Sequence, residues 1–350
     1  MGGICWGMRE RGVLVRGGGI AAGCCVQLLR RQGCLVGLDA IGDRTAAALP
    51  AILVSSSTQN LLADIFPSGD LFAGLPNIRK RVVAWGGEPV ALPHLALVAP
   101  EGVLLRRLRG LVGESEQAGA MGDSKWTIDT ARAPGHTGEE MHFGSRVARV
   151  TEVELAEDAE GDACWVEALH EGWLFLLATG GGKGSLIGVG TAVEALLAES
   201  RLVGRQIKRL CGVAGEFAAY PRTAATLCGP GWLTCGSAAM TFDPLCGEGA
   251  GNAAREAILA CAAVRAIAGG QSEEDILAEY SLRLRLGFLR HLENCREFYR
   301  RDTASAFWAS ELEWIERGIS WTQEKLRGLG RPKFRLVGFD LERNAAEDVR

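Results

Sequence analysis

Two glycine-rich stretches hold the residues whose types and spacing could do chemistry. The first is Gly17-Gly18-Gly19 with Ala22 three residues on, a Gly-x-Gly-x-x-Ala pattern. It follows the apolar run Val13-Leu14-Val15 and opens a helix-compatible stretch over 20–32, which Gly33 closes as a C′ residue. A second apolar run over 34–38 ends at Asp39. In this order the first glycine permits a tight turn, and Gly18 and Gly19 let the backbone approach a pyrophosphate. The small Ala22 allows close packing of helix on strand. The helix start offers free N–H groups and the positive end of its dipole to phosphates. Asp39, about 20 residues downstream, suits the carboxylate that accepts hydrogen bonds from an adenosine ribose. Strand, turn, helix and strand within about 30 residues predict a βαβ unit on a parallel sheet. A glycine turn that holds no ligand is the alternative.

The second stretch runs Cys235-Gly236-Ser237-Ala238-Ala239-Met240-Thr241-Phe242-Asp243-Pro244-Leu245-Cys246-Gly247-Glu248-Gly249 and on through 250–253. A compact buried strand over 232–235 leads into it and delivers a polar side chain, Ser237. Asp243-Pro244 sets an extended turn. Gly247 and Gly249, flanking Glu248, let backbone amides approach a planar ring, and the helix that follows points its positive end there. The stretch resembles the carboxy-terminal FAD motif of the p-hydroxybenzoate-hydroxylase-like flavoproteins, where Gly-Asp-Ala-Ala is followed by Asp-Pro, a variable pair, Gly-x-Gly and a helix. The resemblance implies that Gly236, Ser237, Asp243, Pro244, Gly247, Glu248 and Gly249 serve FAD at its ribityl and ring end. Gly17, Gly18, Gly19, Ala22 and Asp39 then serve its diphosphate and adenosine. Ser237 departs from the family's aspartate, and a hydroxyl lacks the charge-assisted strength of a carboxylate. Weak binding, or uptake of reduced FAD as an exchangeable substrate, is expected.

Other segments extend the likeness. Trp126-Thr127-Ile128-Asp129-Thr130-Ala131-Arg132 is similar to the family's Val-Ile-Asp-Ala-Thr-Gly-Arg strand and turn, with Ala131 in the glycine's place. Gly172-Trp173-Leu174-Phe175-Leu176 resembles the start of the tryptophan halogenases' Gly-Trp-x-Trp-x-Ile-Pro, with Phe175 for the second tryptophan and Leu177 for the proline. The halogenases also use a lysine, and Lys80 lies too close to Trp85 to fit that pattern. An arginine expected at the start of the helix near Gly102 is missing. Such a family implies a reduced FAD that reacts with O₂ to give a flavin hydroperoxide. A hydroxylase passes its distal oxygen to an electron-rich carbon, and a halogenase spends it on chloride. The incomplete halogenase motifs favour a monooxygenase acting on an aromatic or indole-like substrate, small or protein-borne. A halogenase and a non-catalytic flavin-fold partner-binding protein are the rivals. No second nucleotide fingerprint is evident, which implies a separate flavin reductase.

The elements that must position these residues follow from patterning. Residues 44–66 read as mostly helical, 82–85 and 89–98 as strands, 102–111 as a helix, 113–124 as a polar loop and 126–129 as a strand. Strand-like segments over 146–155, 164–169, 173–178 and 185–189, with turn residues between them, predict an antiparallel sheet. Residues 192–211 read as helix, 251–268 as a small-residue helix, 272–327 as an arginine-rich helical tail and 334–341 as one terminal strand. The expected fold is α/β: a discontinuous Rossmann-like FAD domain of the p-hydroxybenzoate-hydroxylase type (10–75, 100–135, 225–270), an antiparallel substrate domain (76–99, 136–224) and a helical region over 271–350.

Composition narrows the remaining options. A formal net charge of −4 argues against general nucleic-acid binding. No apolar run reaches the roughly 18 residues that cross a bilayer, and 1–12 lacks a signal core and reads as a disordered lead-in. The 11 cysteines are scattered, without a CxxC pair or zinc spacing. They read as small buried hydrophobes of a cytoplasmic protein, with no metal site. His94, His142 and His170 fall on substrate-domain strands and receive no catalytic role.

Overall fold

The computed structural model describes residues 12–40, 49–113, 116–117, 124–132, 139–246, 248–300 and 305–344. Most of the expected lead-in, and Gly247, lie outside the described residues. Strand β1 (Val13–Arg16), helix α1 (Ile20–Arg31) and strand β2 (Val36–Asp39) make the predicted βαβ unit, β1 and β2 pairing in parallel. Apolar residues repeat along one side of α1, so Ile20, Cys24, Leu28 and their neighbours are buried. Gly33 ends the helix with φ +77, a conformation that suits a residue without Cβ.

Next come β3 (Ile52–Ser55), α2 (Ser56–Ile65), β4 (Asn77–Ala84), β5 (Val90–Ala99), α3 (Glu101–Val112), β6 (Glu116–Gln117) and β7 (Trp126–Asp129). The expected helix over 44–66 is therefore corrected: a strand occupies 52–55, and Ser55 caps α2 by accepting from the Thr58 amide. Then follow β8 (Glu140–His142), β9 (Val147–Leu155), β10 (Ala163–Leu169), β11 (Gly172–Gly180), β12 (Lys183–Gly190), α4 (Val193–Glu199) and β13 (Ile207–Ala218). The helix expected over 192–211 stops at 199, and 207–211 belong to a strand. Short strands β14 (Arg222–Ala224), β15 (Cys228–Gly229), β16 (Trp232–Thr234) and β17 (Met240–Thr241) lead to α5 (Gly249–Ala268), α6 (Glu273–Tyr299) and α7 (Ala306–Arg327). The chain's last described elements, β18 (Phe334–Val337) and β19 (Asp340–Arg343), form a hairpin turned at Gly338, where one strand was expected.

Two large sheets organise these elements. The first has the order β15-β16-β7-β1-β2-β6, parallel except for the β15–β16 pair. The second has the order β13-β9-β12-β11-β10-β4-β5-β3 and is antiparallel except where β10 meets β4. Strand β3, from the stretch assigned by sequence to the nucleotide half, thus joins the second sheet. A third, small sheet has the order β17-β14-β8. Helix α5 buries Ala254, Ala257, Ala260, Cys261 and Ala263, and it packs on α1, where small side chains permit close approach. Cys24, Cys25, Cys34, Cys164, Cys235, Cys261 and Cys295 are buried, as expected of small hydrophobes.

Candidate functional site

The turn between β1 and α1 is fixed by its glycines. Gly17 has φ +129, and a Cβ there would lie 2.2 Å from the Thr130 hydroxyl oxygen. A Cβ on Gly19 would meet nothing within 4 Å, and one on Gly18 only the tip of Arg109, at 3.6 Å. Backbone is therefore exposed at Gly18 and Gly19. Gly19 is the N-cap of α1, no side chain caps it, and no acidic residue lies in the first turn. The first-turn N–H groups are left for an external acceptor. Ala22 is buried, as close packing requires, and Asp39 ends β2 opposite Arg16.

The second glycine stretch meets the first across Thr130. Thr130 donates from its backbone N and its hydroxyl to Arg16 O at 2.8 and 2.9 Å. On its other side, the Ser237 hydroxyl donates to Thr130 O at 3.3 Å. Gly236 has φ +59, and a Cβ there would lie 2.8 Å from Ala21 and 3.0 Å from Thr130 O. Ser237 O accepts from Arg222 at 2.8 Å, while Gly236 N donates to Glu256 of α5 at 2.6 Å. Burial pushes the Glu256 carboxyl up to about 8, so it is protonated at neutral pH. These contacts bring Gly17, Gly18, Gly19, Gly236 and Ser237 to one place at the ends of β1 and β16. A turned backbone with open space above it, and donors not claimed by the protein, fits the diphosphate of a dinucleotide.

The side chains of Asp243 and Glu248 are both engaged within the protein. Asp243 is 1% exposed, and both its carboxylate oxygens are bonded within the protein. Glu248 turns back along α5, its carboxylate 3.3 Å from Arg255. Pro244 lies in a short 3₁₀ turn, and Gly249 is the first residue of α5, which carries no acid in its first turn. Glu248, the N-cap of α5, is thus the acidic side chain beside the positive end of that helix.

The second sheet faces this turn. Arg81 of β4 donates to Leu245 O at 3.3 Å and lies over the Phe175 ring at 5.7 Å. On β5 a bulge sets His94 and Leu95 against the single residue Arg79. His94 falls on the same side as Leu92, which pairs with Arg81. Its Nε2 is buried and has no hydrogen-bond partner. Burial, then the nearby Arg81 charge, hold its pKa below the usual histidine value, so the ring is neutral at neutral pH. Val90 and Leu92 on that side expose apolar surface. Sequence reasoning assigned no role to His94 and missed Arg109, Arg146 and Glu256. Among these only the Pro93-His94 step within an apolar run hinted at an irregular strand. Among the described residues no group of three or more His, Cys, Asp or Glu is arranged to hold a metal, and no helix is long and apolar enough to cross a membrane.

No family model matches the chain, and no curated protein matches it. Solved structures do. One is the peptidyl tryptophan dihydroxylase QhpG, essential for tryptophylquinone cofactor biogenesis: 20% identity, TM-score 0.69, covering 86% of this chain and 78% of that one. Another is the myxobacterial chondrochloren halogenase CndH: 16% identity, TM-score 0.71, covering 92% and 91%. A third is the p-nitrophenol 4-monooxygenase PnpA from Pseudomonas putida DLL-E4: 14% identity, TM-score 0.64, covering 91% and 96%. The chain has the p-hydroxybenzoate-hydroxylase-type fold shared by FAD-dependent monooxygenases and halogenases.

Proposed function

We propose that the chain binds FAD and acts as a monooxygenase on an aromatic or indole-like substrate, small or carried by a protein. The supporting observation is the meeting of the Gly17–Gly19 turn and the Gly236-Ser237 turn across Thr130. Amides of the first turn of α1 would hold the diphosphate, with Arg109 beside Gly18. Asp39 would hold the adenosine ribose, and the Ser237 hydroxyl the ribityl chain. The start of α5 would place its positive end at the flavin pyrimidine. The bound flavin supplies the oxygen-activating redox chemistry.

The protein's own work is positioning and proton handling. Val90 and Leu92 offer an apolar shelf to an aromatic ring. The neutral His94 ring, whose buried Nε2 has no protein partner, would accept a hydrogen bond from a substrate hydroxyl or indole N–H, and would take the proton of an acidic hydroxyl. Arg81 next to it disfavours the protonated imidazolium before substrate arrives. Electrons come from a separate reductase. Titration of the purified chain with FAD and with reduced FAD, followed in visible absorbance, tests the reading; neither form being taken up refutes it. That outcome would favour a partner-binding protein that has lost flavin, the reading suggested by Ser237.

A further inference from the structure

Asp243 is among the residues that the sequence pattern assigns to flavin, yet its side chain cannot touch one. Its Oδ1 accepts from Leu245 N at 2.9 Å. Its Oδ2 accepts from Arg146 at 2.8 Å and from the Tyr299 hydroxyl at 2.8 Å. Its backbone N donates to His291 Nε2 at 2.9 Å. The cluster continues outward. Arg146 also pairs with Glu311 of α7 and lies over the Tyr299 ring at 4.5 Å. The Tyr299 oxygen accepts from Trp173 of β11 at 3.1 Å. The Arg146 and Asp243 side chains are wholly buried, and the Glu311 side chain is 3% exposed. Burial opposes the Arg146 charge, but Tyr299, Asp243 and Glu311 outweigh it and hold its pKa above the ordinary arginine value.

We propose that Asp243 is a positioning residue: with Arg146, Tyr299 and His291 it fixes the Pro244–Cys246 turn ahead of α5, making the helical tail part of the flavin site. The proposal rests on the FAD reading above. The Leu245 amide is held by Asp243 and its carbonyl by Arg81 of β4, so the peptide units on both sides of Leu245 are anchored. Helices α6 and α7 supply His291, Tyr299 and Glu311 to this cluster. A cluster of buried charges is a poor source of stability compared with an apolar core, but it admits one geometry and rejects near neighbours. That is what a turn facing a ring needs.

The test uses the full chain, with Tyr299→Phe as the variant. Thr322→Val serves as a control, since its buried hydroxyl bonds Gly318 O in α7 away from the turn. Amide hydrogen exchange of the apo protein is read over the segment from Asp243 into α5, and FAD is titrated with its bound visible spectrum recorded. Tyr299→Phe should exchange faster in that segment, bind FAD on the order of tenfold more weakly and displace the flavin band. Thr322→Val should do none of these. Wild-type exchange, affinity and spectrum in Tyr299→Phe overturn the proposal. If the wild type takes up no FAD, the FAD reading fails while exchange still decides whether the cluster holds the turn. Should Tyr299→Phe not fold, Glu311→Gln is measured in the same way, and an unchanged segment there overturns the proposal equally.

Discussion

Glu256 shows how a single side chain can tie pH to the integrity of the site. Its carboxyl receives the Gly236 amide while its pKa is raised by burial to about 8. Between the ordinary carboxylate value and about 8, the unfolded chain is ionised at this position and the folded protein keeps the proton. The native state then binds more protons, so this group's contribution to stability falls as pH rises through that window and levels off above it. Glu256→Gln keeps an acceptor for Gly236 and removes the titration. Urea unfolding of both proteins at about pH 5 and about pH 9 should show the variant gaining on the wild type, on the order of a few kcal/mol. Ser237→Asp should tighten FAD binding by restoring a charged acceptor, and unchanged affinity in a titration would place that position away from the ribityl chain. Arg109→Ala should weaken FAD binding about tenfold and flatten its salt dependence, read by the same titration at two ionic strengths. The glycines were legible in the sequence because a turn with φ near +129, or a Cβ-free contact with Thr130, demands that residue type. Arg109, His94 and Glu256 were not. Their roles come from neighbours far along the chain, and no local spacing announces them.

At the level of elements, patterning read the repeated periods well and the junctions badly. β1, α1, β2 and β7 carry unbroken apolar runs or helical periodicity and form where expected. β3 was hidden because it abuts α2 with no turn between them, Ser55 serving as both strand end and helix cap. β13 was hidden because it is an edge strand. Lys208 and Arg209 pair with Glu154 on its neighbour, and three register shifts break its alternation. Charges and bulges of this kind guard an edge against further pairing and erase the signal that marks a strand. The tail was correctly read as helical, but its buried polar contacts were invisible as a pattern. Removing one partner from them has a calculable effect. Glu311→Ala leaves Arg146 buried beside a single carboxylate and should cost about 3–5 kcal/mol in urea unfolding. Replacement of the exposed Glu313, which pairs with Arg317 on the solvent side of α7, should change stability by about 0.5 kcal/mol or less.

At the scale of the molecule, the face of the antiparallel sheet that bears Arg81, Phe175 and His94 reaches the Leu245 carbonyl ahead of α5 through Arg81. A ring lying against that face would have apolar surface and a neutral imidazole beside it. His94→Gln should remove the acid limb of the pH profile for turnover by the flavin-loaded protein, while leaving FAD affinity unchanged. NADH added without a reductase should leave the bound flavin yellow; rapid bleaching would refute dependence on a second protein. The broad architecture was readable because two motifs far apart in the chain share one ligand logic, whereas the tail's grip on Asp243 had no counterpart in either motif. That grip also imposes an order on biosynthesis. The Gly17–Gly19 turn leaves the ribosome well before Tyr299 and Glu311, which lie far downstream. Until those two emerge, Arg146 and Asp243 have only part of their set, so under the proposal above a nascent chain does not set the turn ahead of α5 before α6 and α7 are made.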